Sequence, residues 1–203
     1  MRTSPAQAAL AFWITLATGC ATVPPTTQIT PASARQAATS IDIAGRLSVR
    51  YQSNGKDEAL HGSFNWSQHG TKTLVTLLSP LGQTLATIDI GPDGASLQQA
   101  GQPVQRASDP DALAATALGW PLPVAGLRDW LQGIAIDAAG NRISATPDLA
   151  MAITTADGWQ VLYPSWDNSV PGAVHPRRID LSRITAQAGE VAIRIVIDDW
   201  QTL

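Results

Sequence analysis

Few residues in this chain are equipped for chemistry, and their spacing restricts them further. Cys20 is the single cysteine, so it cannot close an internal disulfide. Imidazole comes only from His61, His69 and His175. His61 and His69 are eight positions apart, which matches no common zinc spacing, and no second cysteine is present to complete a site. His61 lies on the polar side of an alternating segment and reads as solvated. Asp109 and Asp111 read as acids at a helix start. Asp198 and Asp199 adjoin on a strand, so their side chains are expected on opposite faces. Neither pair converges as an acid–base couple must. Gly-x-Ser-x-Gly, Gly-x-Gly-x-x-Gly and P-loop patterns are absent. The sequence therefore points to no enzyme, no metal and no cofactor. Cys20 is left as the one group with an evident chemical task.

What surrounds Cys20 states that task. Arg2 opens a short polar start, and Ala8 to Ala17 form an apolar run. A bilayer-spanning helix needs roughly twenty residues, so this run reads as a secretory signal. It ends in Leu16-Ala17-Thr18-Gly19-Cys20, which resembles a lipobox, with Ala17 where a leucine is usual. Processing of that kind attaches a diacylglyceryl group to the thiol, cuts before Cys20 and acylates the new amine. Ordinary secretory cleavage after Gly19 also suits Ala17-Thr18-Gly19. A lone thiol in an oxidising compartment favours lipidation, because it would otherwise be a liability. Several acyl chains on one residue anchor firmly, each buried methylene contributing about 0.8 kcal/mol. Ala21 follows the cysteine, where an aspartate would favour inner-membrane retention in enterobacteria, so the outer membrane is the expected address.

Bulk composition fits one folded domain beyond the anchor. Apolar residues are 44% and charged residues 14% of the chain, enough for a core and too few charges for a disordered polyelectrolyte. Loss of residues 1–19 removes one of the 13 basic residues (Arg2) and no acid, leaving 12 − 16 = −4. No basic cluster recommends a nucleic acid. The expected division is 1–19 signal peptide, 20–40 lipidated N-terminus with a Thr/Pro/Ala tether and a short helix over Ala32–Ala38, and 41–203 folded domain.

Within the domain, period-two alternation marks strands. Ile41, Ile43, Leu47, Val49 and Tyr51 share a face; Leu60, Phe64 and Trp66 share another. Thr73–Leu78 is expected to be apolar on both sides. Thr84–Ile90 and Ala95–Gln99 follow. Ser108 or Asp109 should cap a helix with Pro110 at its first position and Gly119 as its stop. A second helix is expected over Leu127–Gln132. Strands resume at Leu149–Thr155, at Trp159–Tyr163 after the Asp157-Gly158 turn, at Ile179–Ser182 and at Val191–Trp200, with a loop from Pro164 to Pro176. Leu47, Val49, Phe64, Trp66, Leu77, Trp130, Ile193 and Ile195 are the candidates to line the interior. Seven tryptophans against two Phe and two Tyr suit core filling, or an interior that meets flexible acyl chains.

Seven segments occur in an order that resembles the LolB family of outer-membrane lipoprotein receptors. They are Gly45-Arg46-Leu47-Ser48-Val49, Gly62-Ser63-Phe64-Asn65-Trp66, Ser79-Pro80-Leu81-Gly82, Gly119-Trp120-Pro121-Leu122-Pro123, Gly126 to Gly133, Gly158 to Tyr163 and Ile197-Asp198-Asp199-Trp200. The resemblance covers about residues 41–200. It implies a mainly β (α+β) fold: an incomplete antiparallel β-barrel with short helices covering an apolar cavity. It implies a function too: accepting lipoproteins from the periplasmic carrier LolA and inserting them into the inner leaflet of the outer membrane. The partners would be LolA, the acyl chains of clients and that leaflet, and the protein is expected to act as a monomer. A hydrophobic side chain protrudes in the family from the loop that here is Pro80, Leu81 and Gly82. The matching residue is Leu81; the alternative open from the sequence alone is that it folds back on the sheet. Two other readings stand beside this one: an envelope scaffold lipoprotein with a filled β core, and a hydrolase whose site the sequence does not display.

Overall fold

Alternating apolar and polar side chains become paired strands when one face must leave water. The structure, a computed structural model, describes residues 35–149, 151–169 and 174–203. β1 (Ser40–Ser53) and β2 (Lys56–His69) form a long hairpin. Asn54 (φ 52°) and Gly55 (φ 72°) take the left-handed conformation that a two-residue turn demands. The meander continues through β3 (Lys72–Leu78), β4 (Thr84–Gly91), β5 (Gly94–Gln99) and β6 (Gln105–Ala107). Two helices follow, α1 (Pro110–Leu118) and α2 (Val124–Trp130), then a two-stranded sheet of β7 (Ile134–Ile136) and β8 (Arg142–Ser144). The chain returns as β9 (Ile153–Thr154), β10 (Gln160–Asp167), β11 (His175–Thr185) and β12 (Gly189–Thr202).

β12 docks antiparallel on β1, joining the two groups of strands in the order β6-β5-β4-β3-β2-β1-β12-β11-β10-β9. The outermost strands β6 and β9 do not pair with each other, so the ten-stranded sheet stays open, an incomplete barrel. Its inner face carries Ile41, Ile43, Leu47, Val49, Phe64, Trp66, Val75, Leu77, Ile88, Leu97, Ile193, Ile195 and Ile197, all buried. The helices contribute Leu113, Leu127 and Trp130 to the same core. α1 begins as its sequence requires. The Asp109 carboxylate accepts from Asp111 N (2.9 Å) and Ala112 N (3.2 Å), and Gly119 closes the helix at φ 80°.

Several elements depart from expectation for identifiable reasons. β3 is one-sided: Thr73, Val75 and Leu77 are buried while Leu74 is 44% exposed. α2 starts at Val124, three residues early, because Leu127 N already bonds Pro123 O (2.9 Å). β10 runs through Pro164 to Asp167 instead of ending in a loop. Its register with β11 shifts between Leu162 and Ser165, and a bulge tolerates a residue lacking N–H. Leu149 lies outside any strand. Arg35 to Ala38 carry no helix, and Ala32–Ala34 lie outside the described residues. Asp198 and Asp199 do not straddle the sheet. The β1–β12 register slips there, with Ala44 opposite Asp199 and Gly45 opposite Ile197. Both aspartates are consequently exposed on the outer face. β6, β7 and β8 are too short to display a period.

Candidate functional site

Strands β1, β2, β3 and β12 build one wall of an apolar compartment, and the helical insert builds the other. Leu47, Phe64, Trp66, Val75, Leu77, Ile193 and Ile195 face Leu122, Leu127 and Leu131. The space left between them is about 20 Å³, room for about one water molecule. Six of the eight interior candidates line it. The other two lie elsewhere in the core. Val49 is fully buried further along β1. Trp130 meets Trp159 edge-on, with ring centroids 6.4 Å apart at 62°. Val75, Leu122, Leu127 and Leu131 were not among the candidates. The four-residue step from Leu127 to Leu131, one helical turn, is the signal that marks two of them.

The cover is fastened by a handful of polar contacts at its edges. The Arg128 guanidinium on α2 donates to the Gly70 carbonyl and to Thr73 Oγ1 (3.3 Å), tying the helix to the β2–β3 turn. Ala125 N donates to Asp111 Oδ1 (2.8 Å), joining α2 to α1. Burial pushes the Asp111 carboxyl above the ordinary carboxylate range. The Gln132 side chain accepts from Ala38 N (2.7 Å) and donates to Ala38 O (3.4 Å), binding the cover to the segment that leads into β1. The Arg35 guanidinium sits 4.9 Å over the Trp166 ring and donates to Val174 O (2.9 Å).

At one end of the sheet the β3–β4 connection presents Leu81 to solvent, 87% exposed. The turn is defined by its own bonds. Ser79 Oγ accepts from Leu81 N (3.3 Å) and Gln83 N (3.2 Å), Ser79 N donates to Gln83 O (2.8 Å), and Gly82 takes φ 79°. Leu81 does not fold back on the sheet. Leu85, 47% exposed on β4, extends the apolar surface of this hairpin and had no signal in the sequence beyond its type.

Polar groups that could do chemistry are dispersed. His69 Nε2 lies 3.0 Å from Ser67 Oγ, His175 stacks on Trp200 with centroids 4.7 Å apart, and His61 lies along an outer-face groove with Arg50 and Arg194. Among the described residues no group of three or more His, Cys, Asp or Glu is placed to hold a metal. Cys20, with the signal and tether, lies outside the described residues. No described helix is long and apolar enough to cross a membrane.

The profile of the family described as "Outer membrane lipoprotein LolB" matches residues 39–200, nearly the whole of this sheet and its cover. The chain belongs to the LolB family. The outer-membrane lipoprotein LolB of Cupriavidus necator is 41% identical over 179 residues, covering 88% of each chain. That of Thiobacillus denitrificans is 38% identical over 185 residues, covering 91% of each. Among solved structures, the LolA superfamily protein NE2245 from Nitrosomonas europaea superposes with a TM-score of 0.45 at 10% identity, covering 83% of this chain and 88% of that one. Membership of LolB makes this chain a lipid-anchored protein of the outer membrane, engaged in lipoprotein trafficking.

Proposed function

We propose that this LolB-family chain, anchored through an acylated Cys20, accepts lipoproteins from the periplasmic carrier LolA and inserts them into the inner leaflet of the outer membrane, acting as a monomer. The observation that carries the reading is the pairing of a wholly apolar interior with an apolar tip at the sheet's end. Ten aliphatic and aromatic side chains line that interior, under a cover fastened at its edges. Client acyl chains would enter by parting the helices from the sheet. Each methylene taken out of water contributes about 0.8 kcal/mol. A chain of about ten methylenes exposed in passage would cost roughly 8 kcal/mol, so the hand-over keeps it covered, and only the difference in hold between receptor and carrier opposes the few edge bonds and contacts that opening gives up. Leu81 would then enter the bilayer interface during release. No nucleotide-binding pattern is present in the sequence, so transfer runs downhill: the receptor must hold the chains better than the carrier, and the bilayer better still.

The small size of that space favours a second reading, an envelope scaffold lipoprotein with a filled core. The test is transfer in solution. Purified protein is mixed with LolA carrying a lipoprotein, and the complexes are separated. Under the receptor reading the client moves to this chain; under the scaffold reading it stays with LolA.

A further inference from the structure

The β3–β4 turn is not the only apolar tip at its end of the sheet. β1, β3 and β11 all run toward that end, and their hairpins turn there at Asn54-Gly55, around Leu81 and between Thr185 and Gly189. The last of these sits beside the tip of β1, where Gln52 N donates to Ala188 O (2.8 Å). Ile184, at the head of β11, shares the outer face with Asp180 and Ser182 and is 84% exposed. Among the described large hydrophobics only Leu81, at 87%, is more exposed, and Met151 follows at 69%. A strand position favours a β-branched side chain, but threonine would meet that preference without leaving a butyl group in water. The two most exposed hydrophobic side chains among the described residues thus stand at or beside hairpin turns toward one end of one sheet, the Leu81 turn leaving β3 at the level of Arg46 and Ile184 lying level with Gln52.

We propose that Ile184 is a second point of contact with the bilayer, an inference that rests on the reading of Leu81 as a membrane-entering tip. A bilayer is the occupant to expect, because an outer-membrane lipoprotein is tethered to one. The tips are flanked by exposed Asp57, Glu58 and Glu190 together with exposed Arg50 and Lys56, a mixed set with no basic cluster, so the contact works by apolar insertion and not by attraction to anionic headgroups. Its consequence is orientation. A domain held by a tether and one tip can swivel about that tip, whereas two tips fix which end of the sheet faces the leaflet during release.

The test uses the acylated protein reconstituted in phosphatidylethanolamine–phosphatidylglycerol vesicles. Cys20 is the only native cysteine and its sulfur carries the anchor, so an introduced thiol can be labelled alone. Ile184→Cys, Leu81→Cys and Asp93→Cys, the last on the β4–β5 turn at the opposite end, each receive an environment-sensitive fluorophore. Melting checks that each variant keeps its fold. The label at 184 is expected to shift to the blue and to be quenched by lipids brominated on their acyl chains, as at 81, while the label at 93 stays aqueous. A label at 184 that remains aqueous while 81 is quenched overturns the proposal. So does one that shifts to the blue when loaded LolA is added but is not quenched by the brominated lipids, which would assign Ile184 to a protein contact. Quenching at 184 with 81 in water would sustain the Ile184 contact and sink the reading of Leu81.

Discussion

The Phe64 ring on β2 fills the space in front of Gly45 on β1. A Cβ at Gly45 would stand 2.8 Å from Phe64 Cε1 and 2.3 Å from the carbonyl oxygen of Val196 on β12. Only hydrogen fits, because a ring on one side and backbone on the other leave no room. Gly45→Ala is expected to destabilise the domain by about 1–3 kcal/mol through overpacking at the centre of the sheet. Gly91→Ala, where a Cβ meets nothing within 4 Å, is the control and should melt close to the parent. Equal melting of the two variants would mean that the Gly45–Phe64 contact yields without cost.

Leu81 separates folding from delivery. It supports no core at 87% exposure, and left in water it forgoes roughly 1.5–3 kcal/mol of burial. Leu81→Glu should therefore melt normally and take up clients from LolA normally. Release into the membrane should fail, since a carboxylate resists an apolar surrounding. Melting, uptake and membrane delivery are measured on this one variant. Normal delivery would remove Leu81 from the mechanism.

Arg128 holds the cover shut through Gly70 and Thr73. Arg128→Ala should cost about 1 kcal/mol, since the bonds are partly exposed and water replaces them. The amides of Leu127 and Leu131, which bond within the cover, should exchange faster with solvent, and client uptake should quicken. Slower uptake at unchanged amide exchange would place Arg128 in contact with the client or carrier instead.

Asp111 makes the stability of the cover depend on pH. Burial raises its carboxyl above the unfolded value, so the folded protein binds this proton more tightly than the unfolded chain does. Ionised Asp111 thus costs stability at neutral pH, and the cost disappears as pH falls through the raised value toward the ordinary carboxylate range. Asp111→Asn keeps an oxygen that can accept from Ala125 N. It should melt above the parent at pH 7, with the gap closing as pH falls through the raised value and gone by about pH 4. A gap that widens on acidification would contradict burial as the cause.

How much of this was legible depended on whether a residue's role is local. β1, β2 and β12 could be read because alternation repeats along long strands and one face must be apolar. The cap at Asp109 and the stop at Gly119 could be read because capping is written within a few residues. Leu74 could not be assigned to solvent from sequence, since its neighbours are apolar whichever way the strand turns. The bulge that puts Asp198 and Asp199 on one face arises from the register with β1, across most of the chain. Leu122 and Leu131 join the interior only because the helices fold back over the sheet. The protrusion of Leu81 was suggested by family resemblance and not by its own residues, and Ile184 carried no signal at all.

The claim that acyl chains occupy the space beneath α2 and the residues flanking it is tested most directly by marking where they go. A client lipoprotein carrying a photoreactive group on an acyl chain is loaded on LolA, mixed with this protein and illuminated, and the adducts are mapped by mass spectrometry. Adducts are expected on the segment from Leu122 to Leu131 and on the strands bearing Phe64, Trp66, Val75 and Leu77. Transfer without adducts there, or with adducts confined to the outer face around Arg50 and Arg194, would contradict it.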